Sequence, residues 1–138
     1  MIKEFWLNLP VKNIGKSKAF FTALGFKFNT QNGNTDTSAC LLVGEKNIVV
    51  MLFEEPTFKG FTNNEIANTS KGTEVLLSFD AQSKEEVDAI IKKAIEAGGS
   101  SMHKPSGMGG WMYGAVFADL DGHRWNVLHM DMSKMPKA

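Results

Sequence analysis

Three histidines, one cysteine and an Asp-Leu-Asp-Gly hairpin are the residues of this 138-residue chain whose types suit metal, thiol or proton-transfer chemistry. Cys40 is the only cysteine, so an internal disulfide and a thiolate zinc site are both excluded. Its neighbours Ala39 and Leu41 read as a strand, which suits a buried, inert thiol. His103 lies close to Gly107-Met108-Gly109-Gly110 and is either a surface histidine or a general base, the latter needing a partner carboxylate. On strand alternation His123, Trp125, Val127 and His129 share a face opposite Asn126. Asp119-Leu120-Asp121-Gly122 opens like a calcium loop, but the twelfth position is Met130 rather than Glu, and Asp-Gly at a hairpin is sufficient explanation. The glycine run lacks a third glycine at 112 and a following helix, so it is no dinucleotide fingerprint. It is read as a loop over a cleft mouth or as a plain connection. Trp6, Trp111, Met112 and Tyr113 offer an adaptable apolar wall, with strict core packing as the alternative.

The elements that must position these groups occur twice. Phe5 to Val11 reads as a strand with Phe5, Leu7, Leu9 and Val11 on one face and Trp6, Asn8 and Pro10 on the other. Asn13 caps a helix anchored by Phe20, Phe21 and Leu24 and stopped at Gly25. Strands follow at Phe26 to Thr30, Ser38 to Val43 and Ile48 to Phe53. In the second half, Glu74 to Asp80 puts Val75, Leu77 and Phe79 on one side and Glu74, Leu76 and Ser78 on the other. Ser83-Lys84-Glu85-Glu86 is a capping box, and Val87, Ile90, Ile91, Ala94 and Ile95 form one buried helical stripe up to the stop at Gly98. Strands are expected at Ser100 to His103, Trp111 to Ala118 and Arg124 to Met130, with a frayed tail from Asp131. The spacing predicts an α+β fold of two tandem β-α-β-β-β modules, about residues 1–55 and 73–133 of a single domain; a ferredoxin-like sandwich is the alternative. Residues 54–72 carry Pro56, Gly60, Asn63 and Asn64 and read as a linker that covers a cleft or meets a second subunit.

Composition narrows the function classes. Basic and acidic residues balance at 15 each, which favours neither nucleic acid nor an anionic membrane. No apolar run approaches the ~18 residues that span a bilayer, and the N-terminus lacks a signal-peptide core. A cytoplasmic protein is expected.

Asn8-Leu9-Pro10-Val11-Lys12-Asn13, continuing through Ser17-Lys18-Ala19-Phe20-Phe21-Thr22-Ala23-Leu24-Gly25-Phe26, resembles the opening of the vicinal oxygen chelate superfamily. That superfamily includes glyoxalase I, bleomycin-resistance proteins, fosfomycin-resistance enzymes and extradiol dioxygenases. Asp119-Leu120-Asp121-Gly122-His123-Arg124-Trp125-Asn126 resembles its closing hairpin. The resemblance covers essentially the whole chain and implies a glyoxalase/bleomycin-resistance-type open β-barrel cleft. It also implies metal ligands near Trp6, Val50, Glu74 and Asn126, of which only Glu74 is an ordinary donor for a divalent ion.

The leading expectation is therefore a homodimeric, metal-free protein of the bleomycin-resistance type that holds a small organic ligand. Trp6, Asn8, Leu76, Trp111, Tyr113 and Asn126 would line the site, and Glu74 and Asn126 would fix the ligand's polar end. The competing expectation is a metal-dependent lyase of the glyoxalase (lactoylglutathione lyase) type, or a related dioxygenase or transferase. Glu74 would then be catalytic, binding zinc, nickel or manganese with help from Asn126 and water.

Overall fold

The structure is a computed structural model that describes residues 1–137, and its contacts divide the chain into two units, residues 1–68 and Thr69 onward. Unit 1 runs β1 (Leu7–Val11), α1 (Ile14–Ala23), β2 (Lys27–Phe28), β3 (Ser38–Val43), β4 (Ile48–Glu54) and α2 (Glu55–Thr62). Its sheet has the order β1-β4-β3-β2, with β1 parallel to β4 and the other pairs antiparallel. In that register Leu9, Leu52 and Ala39 lie side by side, and all are buried. Phe20 and Phe21 on α1 are buried against this unit's core, their rings edge to face at 5.1 Å. The Asn13 side chain accepts from the Lys16 amide at 2.9 Å, satisfying one of the helix's orphan donors. Glu54 Oε2 accepts from Ile14 N at 3.1 Å, so the end of β4 caps the same helix. The helix ends at Gly25, whose φ of 97° is left-handed backbone.

Unit 2 repeats the plan. It runs β5 (Leu76–Asp80), α3 (Lys84–Glu96), β6 (Ser106–Met108), β7 (Met112–Ala118) and β8 (Arg124–Met130), and its sheet order is β5-β8-β7-β6. Val87, Ile91 and Ala94 of α3 are buried, as are Leu77, Phe117, Trp125 and Val127 of the sheet. Phe117 and Trp125 stack with centroids 6.5 Å apart, and Phe79 meets both rings edge-on. Ser83 Oγ accepts from Glu86 N at 3.1 Å, while Glu86 Oε1 accepts from Gln82 N at 3.2 Å, so the capping carboxylate reaches one residue further back than a capping box requires. Ser83→Ala is expected to cost about 1 kcal/mol in urea unfolding. Gly98 closes the helix with φ 106°.

Several expected elements differ. Glu55–Thr62, expected as linker, is a helix: Pro56 stands in its first turn, where its missing N–H is harmless, and Asn63 in the left-handed region (φ 51°) ends it. Phe61 of α2 packs on Phe53 at 5.0 Å, edge to face. Only Ser100 of the expected strand Ser100 to His103 pairs, bridging to Ala118. The second strand of this module is instead Ser106–Met108, inside the glycine-rich stretch, and Phe26 to Thr30 shortens to Lys27–Phe28. Ile95, placed in the buried stripe by periodicity, is 52% exposed. The tail holds a short 3-10 turn, Met132–Lys134, capped by Asp131.

Candidate functional site

Strands β7 and β8 of unit 2 pack against α3, and the face that concerns the site is set by their register. In that register Ala118 pairs with Arg124, Val116 with Asn126 and Gly114 with Leu128, so these six share one face. The parallel register adds Leu76 beside Arg124 and Ser78 beside Asn126. A hollow of about 460 Å³ opens on this face, within the ~300–1,000 Å³ span of small-molecule sites. Val116 and Asn126 form its floor, and the segment carrying Met102, His103, Lys104 and Met108 forms a wall. Asn126 Nδ2 donates to Ser78 Oγ at 3.2 Å. That bond orients the amide across the sheet.

The expected site residues do not all gather there. Asn126 lines the hollow. Leu76 stands on the same face, next to Arg124, and is half exposed. Tyr113 falls on the other face: it is in register with His129, and its hydroxyl donates to Asp88 Oδ1 of α3 at 2.6 Å. That acceptor and the neighbouring Glu85 raise the phenol's pKa above 10.0. Trp111 precedes β7, and its carbonyl accepts from Asp131 N at 2.7 Å. Tyr113 and Trp111 are thus not part of the wall that Asn126 belongs to. Trp6 and Asn8 lie in unit 1, Trp6 in the extended lead-in to β1 with 52% exposure and Asn8 exposed on β1 opposite Met51. Glu74 is an exposed residue of the bend before β5, outside the strand expected to carry it.

The donor set does not suit a divalent transition ion. Val50 is 2% exposed, and it shares the buried face with Leu52 and Leu41 rather than a face with Asn8. Shifting to its open-face neighbour brings in Met51, which is no better a donor for a hard or borderline cation. Trp6 offers no lone pair, and Asn126 offers only the neutral oxygen of an amide whose nitrogen donates to Ser78, a weaker donor than a carboxylate. Among the described residues no three His, Cys, Asp or Glu side chains converge on one point. Zinc, nickel or manganese needs about three protein ligands beside its open positions.

The hairpin between β7 and β8 holds the one buried carboxylate side chain among the described residues. Asp119 is 6% exposed. Its Oδ1 accepts from Asp121 N (2.9 Å) and His123 N (3.0 Å), and its Oδ2 accepts from Trp125 Nε1 (3.0 Å). Burial pushes its pKa above 3.8; the nearby His123, the Trp125 indole and the turn amides pull back without cancelling that effect. With both oxygens accepting from turn amides or the indole, Asp119 is a structural clamp. His129 stays off the hollow's face, in register with Tyr113, and its Nδ1 sits 3.1 Å from the Ala81 carbonyl, while His123 lies in the turn before β8. Cys40 is buried, and desolvation raises its thiol pKa above 9.0.

Reading the sequence for metal donors passed over Arg124 and Lys104, which line the hollow with His103. A signal was present: Arg124 is the only arginine among 15 basic residues.

Comparison with known proteins follows the same lines. A family model described as Glyoxalase/Bleomycin resistance protein/Dioxygenase superfamily matches residues 5–127. Among solved structures, hypothetical protein SA1046 from S. aureus is 36% identical with a TM-score of 0.83, covering 94% of this chain and 95% of that one. A glyoxalase/bleomycin resistance protein/dioxygenase family enzyme from Burkholderia phytofirmans PsJN is 20% identical with a TM-score of 0.76, covering 91% and 97%. The fosfomycin resistance protein FosX from Listeria monocytogenes, complexed with Mn(II) and sulfate, is 16% identical with a TM-score of 0.67, covering 97% and 95%. No curated protein matches the chain. Among the described residues no helix is long and apolar enough to cross a membrane.

Proposed function

The chain belongs to the Glyoxalase/Bleomycin resistance protein/Dioxygenase superfamily, and from that premise we propose that it binds a small organic molecule, without a resident transition ion, in the hollow above β7 and β8. The observation that carries this reading is the hollow itself: about 460 Å³ with apolar Val116, Met102 and Met108 beside a few polar groups. Such a mixture holds an apolar body while fixing its orientation. Among the described residues no three His, Cys, Asp or Glu side chains gather to hold an ion, which supports assigning no metal-assisted step to Glu74 or Asn126. Phe5, Trp6 and Phe61 are 79%, 52% and 64% exposed, which supports a homodimer that covers apolar surface; we place it in the cytoplasm.

The test uses the untagged full chain. In a fragment screen by amide NMR, binders are expected to shift the Gly114, Val116 and Asn126 signals. Elemental analysis is expected to find far less than one zinc, nickel or manganese per chain, and light scattering a mass of two 15.2 kDa chains. A stoichiometric ion removed only by chelator would overturn the metal-free reading. A screen in which no fragment moves those amides would overturn the site.

A further inference from the structure

The geometry points to an anionic ligand: we infer that the molecule bound in the unit 2 hollow carries a carboxylate or phosphate-type group, received by Arg124 and Lys104 with His103 beside them. This rests on the hollow being the ligand site and adds the ligand's chemical class.

Three observations carry it. First, the lining includes Arg124, Lys104 and His103 and no acidic residue, although basic and acidic residues balance at 15 each over the chain. The imbalance is therefore local. Second, neither Arg124 nor Lys104 joins an ion pair among the described residues, whereas Lys59–Glu65, Lys92–Glu96 and Lys134–Asp131 do pair elsewhere. Two cations share one concavity with no internal counter-charge, and this raises the local concentration of anions. Third, the chain uses lysine at fourteen of its 15 basic positions and arginine at this one. Arginine's planar fork matches a carboxylate or phosphate with two parallel hydrogen bonds, which lysine cannot do. Arg124 is half-buried on β8, beside Leu76 and Ala118. A strand position with packed neighbours restricts the stem, so less freedom is lost on binding. Ser106 and Asn126 supply neutral hydrogen-bonding groups in the same hollow, and Val116, Met102 and Met108 receive the ligand's apolar part.

Titration calorimetry and amide NMR on the full chain, with benzoate, phenyl phosphate and benzamide as probes, test this. These share a ring and differ in charge. At low salt at least one anion is expected to bind about tenfold or more tightly than benzamide, the ratio that one charge-assisted pair confers. Added sodium chloride should weaken the anion and spare benzamide. Benzoate ahead of phenyl phosphate assigns a carboxylate ligand; the reverse order assigns a phosphate. Arg124→Gln should erase the preference, Arg124→Lys should keep part of it, and Lys104→Glu, on an exposed segment, should reduce it without touching the packed sheet. Benzamide binding as tightly as both anions, or an unchanged preference in Arg124→Gln and Lys104→Glu, would overturn the inference while leaving the hollow as a site. If the fragment screen and all three probes leave the hollow's amides unmoved, the site reading falls as well.

Discussion

Replacing Asp119 with alanine should destabilise the protein by about 2–4 kcal/mol, read as a lowered urea midpoint with little change in slope. The carboxylate accepts from two turn amides and from the buried Trp125 indole. Alanine removes the acceptor that the buried indole N–H uses, and a buried donor that loses its hydrogen bond costs roughly 1–3 kcal/mol. The two amides add to this because the same turn returns the chain from β7 to β8. Thr69 Oγ1 also donates to the Asp121 carbonyl at 2.7 Å, and a Cβ on Gly122 would sit 2.2 Å from that hydroxyl oxygen. The turn has no slack in which to find another arrangement. A double-mutant cycle with Trp125→Phe, which removes the indole donor and keeps a ring near Phe117, should show coupling of about 1–2 kcal/mol.

The pH dependence has a definite sign. The folded pKa of Asp119 is raised from 3.8, so the stabilisation linked to its neutral form is complete below that ordinary value. It is lost as pH rises through the folded value. Asp119→Asn keeps one oxygen for the turn amides, turns an N–H2 toward Trp125, and does not titrate. Its destabilisation relative to the parent should therefore be largest near pH 4 and shrink toward neutral pH. A difference that grows with pH would show that the turn amides and indole, not burial, dominate the carboxyl.

The duplication was legible because each half alternates where one face meets a helix and changes period where the helix begins. Asn13, Gly25, Ser83 and Gly98 occupy their caps and stops, with side chains or positive φ doing what their types suggest. The face assignments failed where a strand is apolar on both sides. Ile48-Val49-Val50-Met51-Leu52-Phe53 gives no alternation, so the resemblance alone points to Val50, whose side chain lies on the buried face of β4. Met112-Tyr113-Gly114-Ala115-Val116-Phe117 is equally silent, and Tyr113 went with Asn126 although it pairs with His129. α2 was hidden because Pro56 and Gly60 read as breakers, while its remaining signal, Phe58 and Phe61 three apart, spans less than one turn. Asn126 is legible as a donor to a cation and lines the hollow, whereas Arg124 and Lys104 beside it are cations themselves and carry no signal in a search for metal ligands.

Gly114→Ala should lower stability by about 1–3 kcal/mol, although alanine is normally the better residue inside a strand by roughly 0.5–1 kcal/mol. A Cβ at 114 would lie 2.4 Å from the Val127 carbonyl oxygen, 2.5 Å from Leu128 Cδ2 and 3.3 Å from Leu128 Cα. Leu128 Cδ2 can swing away, but the Val127 oxygen belongs to the backbone of the central strand β8. Relief requires β7 and β8 to separate at the Gly114–Leu128 pair, one step along the same face from the Val116–Asn126 pair that floors the hollow. The substitution should thus weaken ligand-induced stabilisation as well as the fold, with Val116 and Asn126 amide signals displaced in the unliganded protein. Gly107→Ala is the matched control. Its Cβ would meet nothing closer than the Met112 carbonyl at 3.8 Å, an ordinary contact, and it sits on the edge strand β6 of the same sheet. It should leave stability unchanged or raise it by up to about 1 kcal/mol. Equal effects from the two glycines would mean that close approach of β7 to β8 does not set the shape of the floor.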